Sequence, residues 1–149
     1  MNIRAFEQTD INNCISDFIQ SFNSPPWNEE WSRERACEYI NDVFKSPKFI
    51  GFILFSGDEN IAYALCLKRY WWNKDDRYKL CVELFFTKPA YQQRGYGTIL
   101  LEHIEKYAKD NRLKSIMLYT RKDKPAYHFY EKNDFVVIEN LPNIFKKID

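Results

Sequence analysis

Three short stretches of this 149-residue chain carry residue types and spacings that could do chemistry. Gln92-Gln93-Arg94-Gly95-Tyr96-Gly97-Thr98 places two of the chain's four glycines two residues apart. Successive backbone N–H groups at a helix N-terminus, unshielded by side chains, attract an anion such as a phosphate. Cys81-Val82-Glu83-Leu84-Phe85-Phe86-Thr87 holds one charge, Glu83, in an otherwise apolar run. A lone carboxylate there binds a proton more readily than one in water, a property that a general base can use. Turned to solvent or paired with a Lys or Arg, the same residue is merely structural. Tyr127 and Tyr130 stand at helical spacing and, on spacing alone, read as core aromatics.

These residues need elements to hold them. Asn2 to Phe6 reads as a strand, and Thr9 or Asp10 can cap a helix over Ile11 to Phe22. Ser24-Pro25-Pro26-Trp27 breaks that helix, since each proline removes a donor and fixes φ. A second helix is expected from about Glu29 to Phe44. Phe49–Phe55 and Ile61–Trp71 read as strands joined at Gly57-Asp58-Glu59-Asn60, and Tyr78–Thr87 as a third running into Pro89. Leu100, Leu101, Ile104, Tyr107 and Ala108 line one face of a helix over Thr98–Asn111. Ser115–Thr120 reads as a buried strand. Asp123 can cap a helix with Pro125 in its first turn, running to about Lys132. Strands at Phe135–Glu139 and Ile144–Ile148 close the order. The expectation is one α/β (α+β) domain over 1–149, a mixed central sheet of about seven strands flanked by about four helices.

Composition narrows the class. Aromatics make up 17% of the chain, but a net charge of +1 supplies no basic groove for nucleic acid. No apolar run reaches the roughly 20 residues of a membrane span, and the N-terminal residues lack the apolar core of a secretory signal. Cys14, Cys37, Cys66 and Cys81 show no metal-ligand spacing and suit reduced thiols used as small core hydrophobes in a cytoplasmic protein, with no metal. His103 and His128 read as surface residues. Residues 1–86 carry 10 Lys and Arg against 13 Asp and Glu, whereas residues 87–149 carry 12 against 8. Each charge singly is a solvated face, but the division suits a cationic ligand on one side and an anionic one on the other.

The glycine pair completes neither of two common phosphate motifs. A P-loop string is lacking, and a dinucleotide fingerprint needs a third glycine near Leu100 and an acid near Met117. The remaining reading is the pyrophosphate loop of acyl-coenzyme A enzymes, Q/R-x-x-G-x-G/A. Here the chain resembles the GNAT-type N-acetyltransferase superfamily, through Gln92-x-x-Gly95-x-Gly97 and through Ala126-x-x-x-Tyr130-Glu131-Lys132-Asn133-Asp134-Phe135. The likeness covers essentially the whole chain. It departs at Asp134, where the family has glycine, and at Asp123, where an Asn is frequent.

The resemblance implies acetyl-CoA as cosubstrate, held by the loop from Gln92 to Thr98, by backbone groups of Phe85, Phe86 and Thr87 at a bulge in the strand, and by Asp123 and Tyr127. It implies Glu83 as base, with other branches placing the base where Cys81 stands, and Tyr130 as the acid for the departing thiolate. It also puts the region between the first two helices over the acceptor, here Trp27, Glu29, Glu30 and Trp31, with Trp71 and Trp72 after the third strand. Aromatics with carboxylates suit an ammonium group, although each tryptophan singly could equally fill core or a homodimer contact. The expected reaction is direct acetyl transfer, in a ternary complex, to a primary amine of a small cationic molecule of polyamine or amino-sugar type. Peptide N-termini or lysines are the alternative acceptors, and a non-catalytic acyl-CoA-binding domain is the alternative class.

Overall fold

Alternation along the middle strands, offset by one residue at each of two register shifts, sorts the apolar residues into two layers. The computed structural model, which describes residues 1–70 and 77–149, shows β1 (Asn2–Ala5), β2 (Phe49–Ser56), β3 (Glu59–Tyr70), β4 (Tyr78–Thr87) and β5 (Ile116–Leu118). The helices are α1 (Ile11–Phe22), α2 (Arg33–Phe44), α3 (Tyr96–Asp110) and α4 (Pro125–Lys132). Trp71 and Trp72 lie outside the described residues. The chain divides into two units, Met1–Tyr119 and Thr120–Asp149.

In the first unit the strands form one sheet in the order β1-β2-β3-β4-β5, antiparallel except for the parallel β4–β5 pair. Ile53, Tyr63, Leu65, Leu84 and Phe86 face α1 and α2, where Ile15, Phe18, Ala36 and Ile40 complete a buried cluster. Phe52, Leu54, Ala62, Ala64, Cys66, Leu80 and Val82 face the other way, against Leu100, Ile104 and Ala108 of α3. Neighbouring residues thus serve opposite layers, as a pleated strand requires. A Leu or Ile lost from either layer costs about 2–5 kcal/mol. Gly57, at φ +58, turns the β2–β3 hairpin in two residues, with Ser56 opposite Glu59.

Several expectations shift at their ends. The second helix starts at Arg33 rather than Glu29, because Ser32 caps it by accepting a hydrogen bond from the Arg35 N–H at 3.1 Å. The preceding residues are held as loop instead, with Trp31 N–H donating to Asn23 Oδ1 at 2.8 Å. Cys14, Cys66 and Cys81 are buried as expected, whereas Cys37 is exposed. His103 is half-buried, its ring edge-on to Phe52 at 4.7 Å, not a surface residue.

The second unit holds α4 and a tail with no strand among the described residues, so the sheet has five strands rather than about seven. Val136, Ile144, Phe145 and Ile148 are each more than four-fifths exposed. Their β propensity describes how side chains pack on a partnered sheet, and a lone hairpin is marginal in water. Pro142, without a donor, further interrupts the stretch. No helix among the described residues is long and apolar enough to cross a membrane.

Candidate active site

The β3–β4 pairing carries a register shift, as the β2–β3 pairing does at Leu54/Phe55. Leu84 pairs with Leu65 and Val82 with Cys66, so Glu83 has no opposite number in β3 and is the extra residue of a β-bulge. The pairing of β4 with β5 covers Leu80, Cys81 and Val82 and goes no further, although β4 continues to Thr87. Past the bulge, one edge of β4 is therefore unpaired by any strand among the described residues. Lys88 N–H donates to Ile61 O at 2.9 Å, which points residue 88 toward β3. By alternation the N–H and C=O groups of Phe85 and Thr87 turn to the open edge. The Thr87 carbonyl accepts from Gln92 Nε2 at 3.0 Å, so Gln92 ties the strand end to the loop that follows. Phe86 serves the core instead, stacked on Tyr63 at 5.0 Å with a 20° interplanar angle.

That loop runs directly into α3. Gly95 sits at φ +84 as the residue before the first helical turn, and no side chain caps the helix. The left-handed region costs an ordinary L-residue roughly 1–2 kcal/mol, which accounts for glycine here. A Cβ on Gly95 would meet nothing within 4 Å, so the space beside it is open. The first helical bond is Ile99 N–H to Gly95 O at 3.2 Å. The N–H groups of Tyr96, Gly97 and Thr98 come before it and have no acceptor within the helix. Gln93 (φ +60) and Arg94 are exposed, and the Arg94 guanidinium lies 6.0 Å from the Tyr91 ring centre. These open amides and bare backbone fit the diphosphate of acetyl-CoA.

On the α1–α2 side, side chains take over. Trp31 Nε1–H donates to Glu29 Oε1 at 2.8 Å, and the indole stacks on Tyr39 at 5.6 Å with a 22° interplanar angle. Tyr39 OH donates to the Glu83 backbone carbonyl at 3.1 Å. Burial, then the nearby charges of Glu83 and Glu29, pushes the Tyr39 phenol up to about 12. The Arg35 guanidinium lies 4.8 Å over the Trp31 ring, so that ring already carries a cation. Trp27 packs on Phe22 at 5.2 Å, and Glu30 is exposed. Glu83 itself is half-buried, and burial raises the neighbouring Cys81 thiol.

The second unit holds the other motif. Asp123 does not cap α4. Its carboxylate is taken by Arg121 through Nε–Oδ1 at 3.0 Å and Nη2–Oδ2 at 2.7 Å, and Lys124 stands in the cap position, where its side chain makes no capping hydrogen bond. A guanidinium fork two residues away offers the carboxylate more than one backbone N–H can. Pro125 opens the helix as expected. Tyr130 is buried, edge-on to Phe135 at 5.3 Å, and Tyr127 is half-buried beside His128. Asp134, at φ +66, makes the left-handed turn that the family gives to glycine. His128 is exposed and meets Glu131 at 3.2 Å.

Sequence reasoning missed Tyr39, which contacts the bulge from 44 positions away. It also missed a polar group beside β3, in which Tyr63 OH donates to Asp17 Oδ2 at 2.6 Å and Lys88 bridges Glu59 and Asp17. Neither has a local sequence signal, because each depends on which strand neighbours which.

Comparison with known proteins agrees with this geometry. The sequence pattern of the acetyltransferase (GNAT) family matches residues 13–135. A Drosophila melanogaster protein named "Probable N-acetyltransferase san" is 28% identical over 79 residues, which is 52% of this chain and 43% of that protein. This chain thus spans less than half of that relative's length. Among solved structures, one named "a possible acetyltransferase" from Clostridium difficile 630 superposes with a TM-score of 0.84 at 12% identity, covering 99% of this chain and 98% of the other. An aminoglycoside antibiotic 6'-N-acetyltransferase from Acinetobacter haemolyticus does so with a TM-score of 0.75 at 16% identity over the full length of both. Such likenesses extend to the whole fold.

Proposed function

The chain belongs to the acetyltransferase (GNAT) family, and from that premise we propose that it is an N-acetyltransferase using acetyl-CoA to acetylate a primary amine of a small cationic molecule. The observation that carries the reading is the α3 N-terminus, whose left-handed Gly95 leaves three amides uncapped beside open space, after a strand that runs on beyond its pairing with β5. Acetyl-CoA supplies an acetyl group activated as a thioester. Tyr96, Gly97 and Thr98 bind its diphosphate through their amides, Gln93 and Arg94 flank it, and Phe85 and Thr87 offer main-chain groups to its amide arm. Asp123 and Tyr127 enter as further contacts on their place in the second motif.

Glu83, directly or through a water, takes the proton from the amine nitrogen, so that an uncharged nucleophile attacks as the C–S bond breaks. Tyr130 enters on its motif as the group that supplies a proton to the departing sulfur. Transfer is direct, in a ternary complex. A polyamine or amino sugar as acceptor is supported by the Glu29 carboxylate beside Trp31, with Trp27 and Glu30 in the same loop, and by the aminoglycoside acetyltransferases among the similar folds.

A panel of polyamines, amino sugars and peptides with acetyl-CoA, read by thiol release, tests the reading. Release with the small amines is expected. Release with peptides alone overturns the acceptor class, and coenzyme binding without release on any amine overturns catalysis.

A further inference from the structure

The bulge that sets Glu83 apart from the ladder leaves it without an opposite residue in β3. An unsatisfied carbonyl there would favour the regular ladder over the bulge. The partner comes from α2, through the Tyr39 hydroxyl at 3.1 Å. The phenol has one proton to donate, and this bond uses it. Tyr39 is in turn held by its ring, stacked on Trp31 and packed 6.0 Å from Phe18 in the buried layer. Trp31 is pinned on two sides of its own, by Glu29 at the indole N–H and by Asn23 at the backbone. A continuous set of contacts therefore runs from the loop before α2, through two stacked rings, to the bulged residue.

We infer that Tyr39 is a positioning residue for Glu83, one whose hydroxyl fixes the bulge and so the place from which the carboxylate reaches the acceptor amine. The inference rests on the proposed role of Glu83 as base. It assigns to α2 a part in the chemistry beyond roofing the acceptor, and it ties the loop that meets the acceptor to the group that deprotonates it. Phenylalanine at 39 keeps the ring, the stacking and the fit to Phe18, and removes the hydroxyl alone.

The test is a double-mutant cycle with Tyr39→Phe and Glu83→Gln, together with hydrogen exchange of the Val82–Phe85 amides in the protein without substrates. Tyr39→Phe should lower kcat by about tenfold, the scale of one hydrogen bond, with acetyl-CoA affinity unchanged. In the Glu83→Gln background the same substitution should have no further effect, since a residue acting through Glu83 has nothing left to position. The bulge amides should exchange faster in Tyr39→Phe while those of α3 do not. Additive losses in kcat, or unchanged exchange at the bulge, overturn the inference and leave the base intact. A Glu83→Gln protein with wild-type kcat overturns the base and, with it, the inference. Should Tyr39→Phe unfold, Trp31→Phe takes its place, loosening the stack while leaving both hydroxyl and carboxylate, and unchanged exchange at the bulge then counts against the contact chain.

Discussion

Two helices of the first unit begin in opposite ways. α2 satisfies its own first turn with the Ser32 hydroxyl, whereas α3 begins at a left-handed glycine with no side chain over its amides. Stability favours the first arrangement, because a side-chain cap contributes about 1 kcal/mol. The second gives that contribution up and leaves donors facing open space beside Gly95. The difference teaches where this molecule builds with backbone and where with side chains. The α3 side offers amides, a bare Gly95 and a strand edge, while the α2 side offers side chains in series, Glu29 on Trp31, Trp31 on Tyr39 and Tyr39 on the Glu83 carbonyl.

The sharpest way to break that division is at the bulge, where both sides meet. Replacing Glu83 by Gln is expected to lower kcat by about 10²–10⁴, the usual contribution of a general base, with acetyl-CoA affinity in a binding titration unchanged. Loss of coenzyme affinity instead would place Glu83 on the coenzyme side and dissolve the distinction.

Next in size is a matched pair at the two helix starts. Gly95→Ala forces an ordinary residue into φ +84, a cost of about 1–2 kcal/mol that arises from strain, since the added methyl meets nothing within 4 Å. Ser32→Ala removes a cap for about 1 kcal/mol. Thermal melts should show similar destabilisation for both. Acetyl-CoA affinity should fall for Gly95→Ala only, because relaxation of its backbone re-aims the amides of Tyr96 and Gly97. Equal affinities in the two variants would mean that the open amides of α3 hold no phosphate.

The same division decides what was legible in the sequence. β4 was expected at its observed limits, and the glycine pair landed on the helix start that its spacing implied, because backbone requirements leave marks on residue type. Asp134, a departure where the family has glycine, takes the left-handed conformation at φ +66. The side-chain constellation left no such marks. Tyr39 could have been any half-buried aromatic of α2 until the sheet brought Glu83 beneath it. Two strands were expected beyond Asp134, since the apolar residues of that stretch suit a sheet face, but a face needs a partner before propensity counts. Asp123 was expected to cap α4, and the competing guanidinium of Arg121 was there to be read two residues earlier.

The third helix start in this unit gives the smallest effect and the one that pH reaches. Ahead of α1, Asp10 is buried, its carboxylate accepting from the Glu7 N–H at 2.8 Å and from both terminal nitrogens of Arg4 at 2.7 and 2.8 Å. The Arg4 hydrogen bonds hold this carboxyl below its ordinary value against the opposing effect of burial. A depressed value in the folded state means that the unfolded chain binds the proton more readily. Its contribution is therefore complete above the unfolded value of about 3.9 and drains away as pH falls through the folded one. Asp10→Asn keeps the shape and loses the charge, so it should cost about 1 kcal/mol at neutral pH, given that Arg4 is partly exposed and its pairing is screened. Urea unfolding at pH 7 and again near pH 3 should then show the gap between wild type and variant narrowing in acid. A gap that stays constant would mean that Asn also loses the bond to the Glu7 N–H, and that the turn ahead of α1 is held by a neutral hydrogen bond rather than by charge.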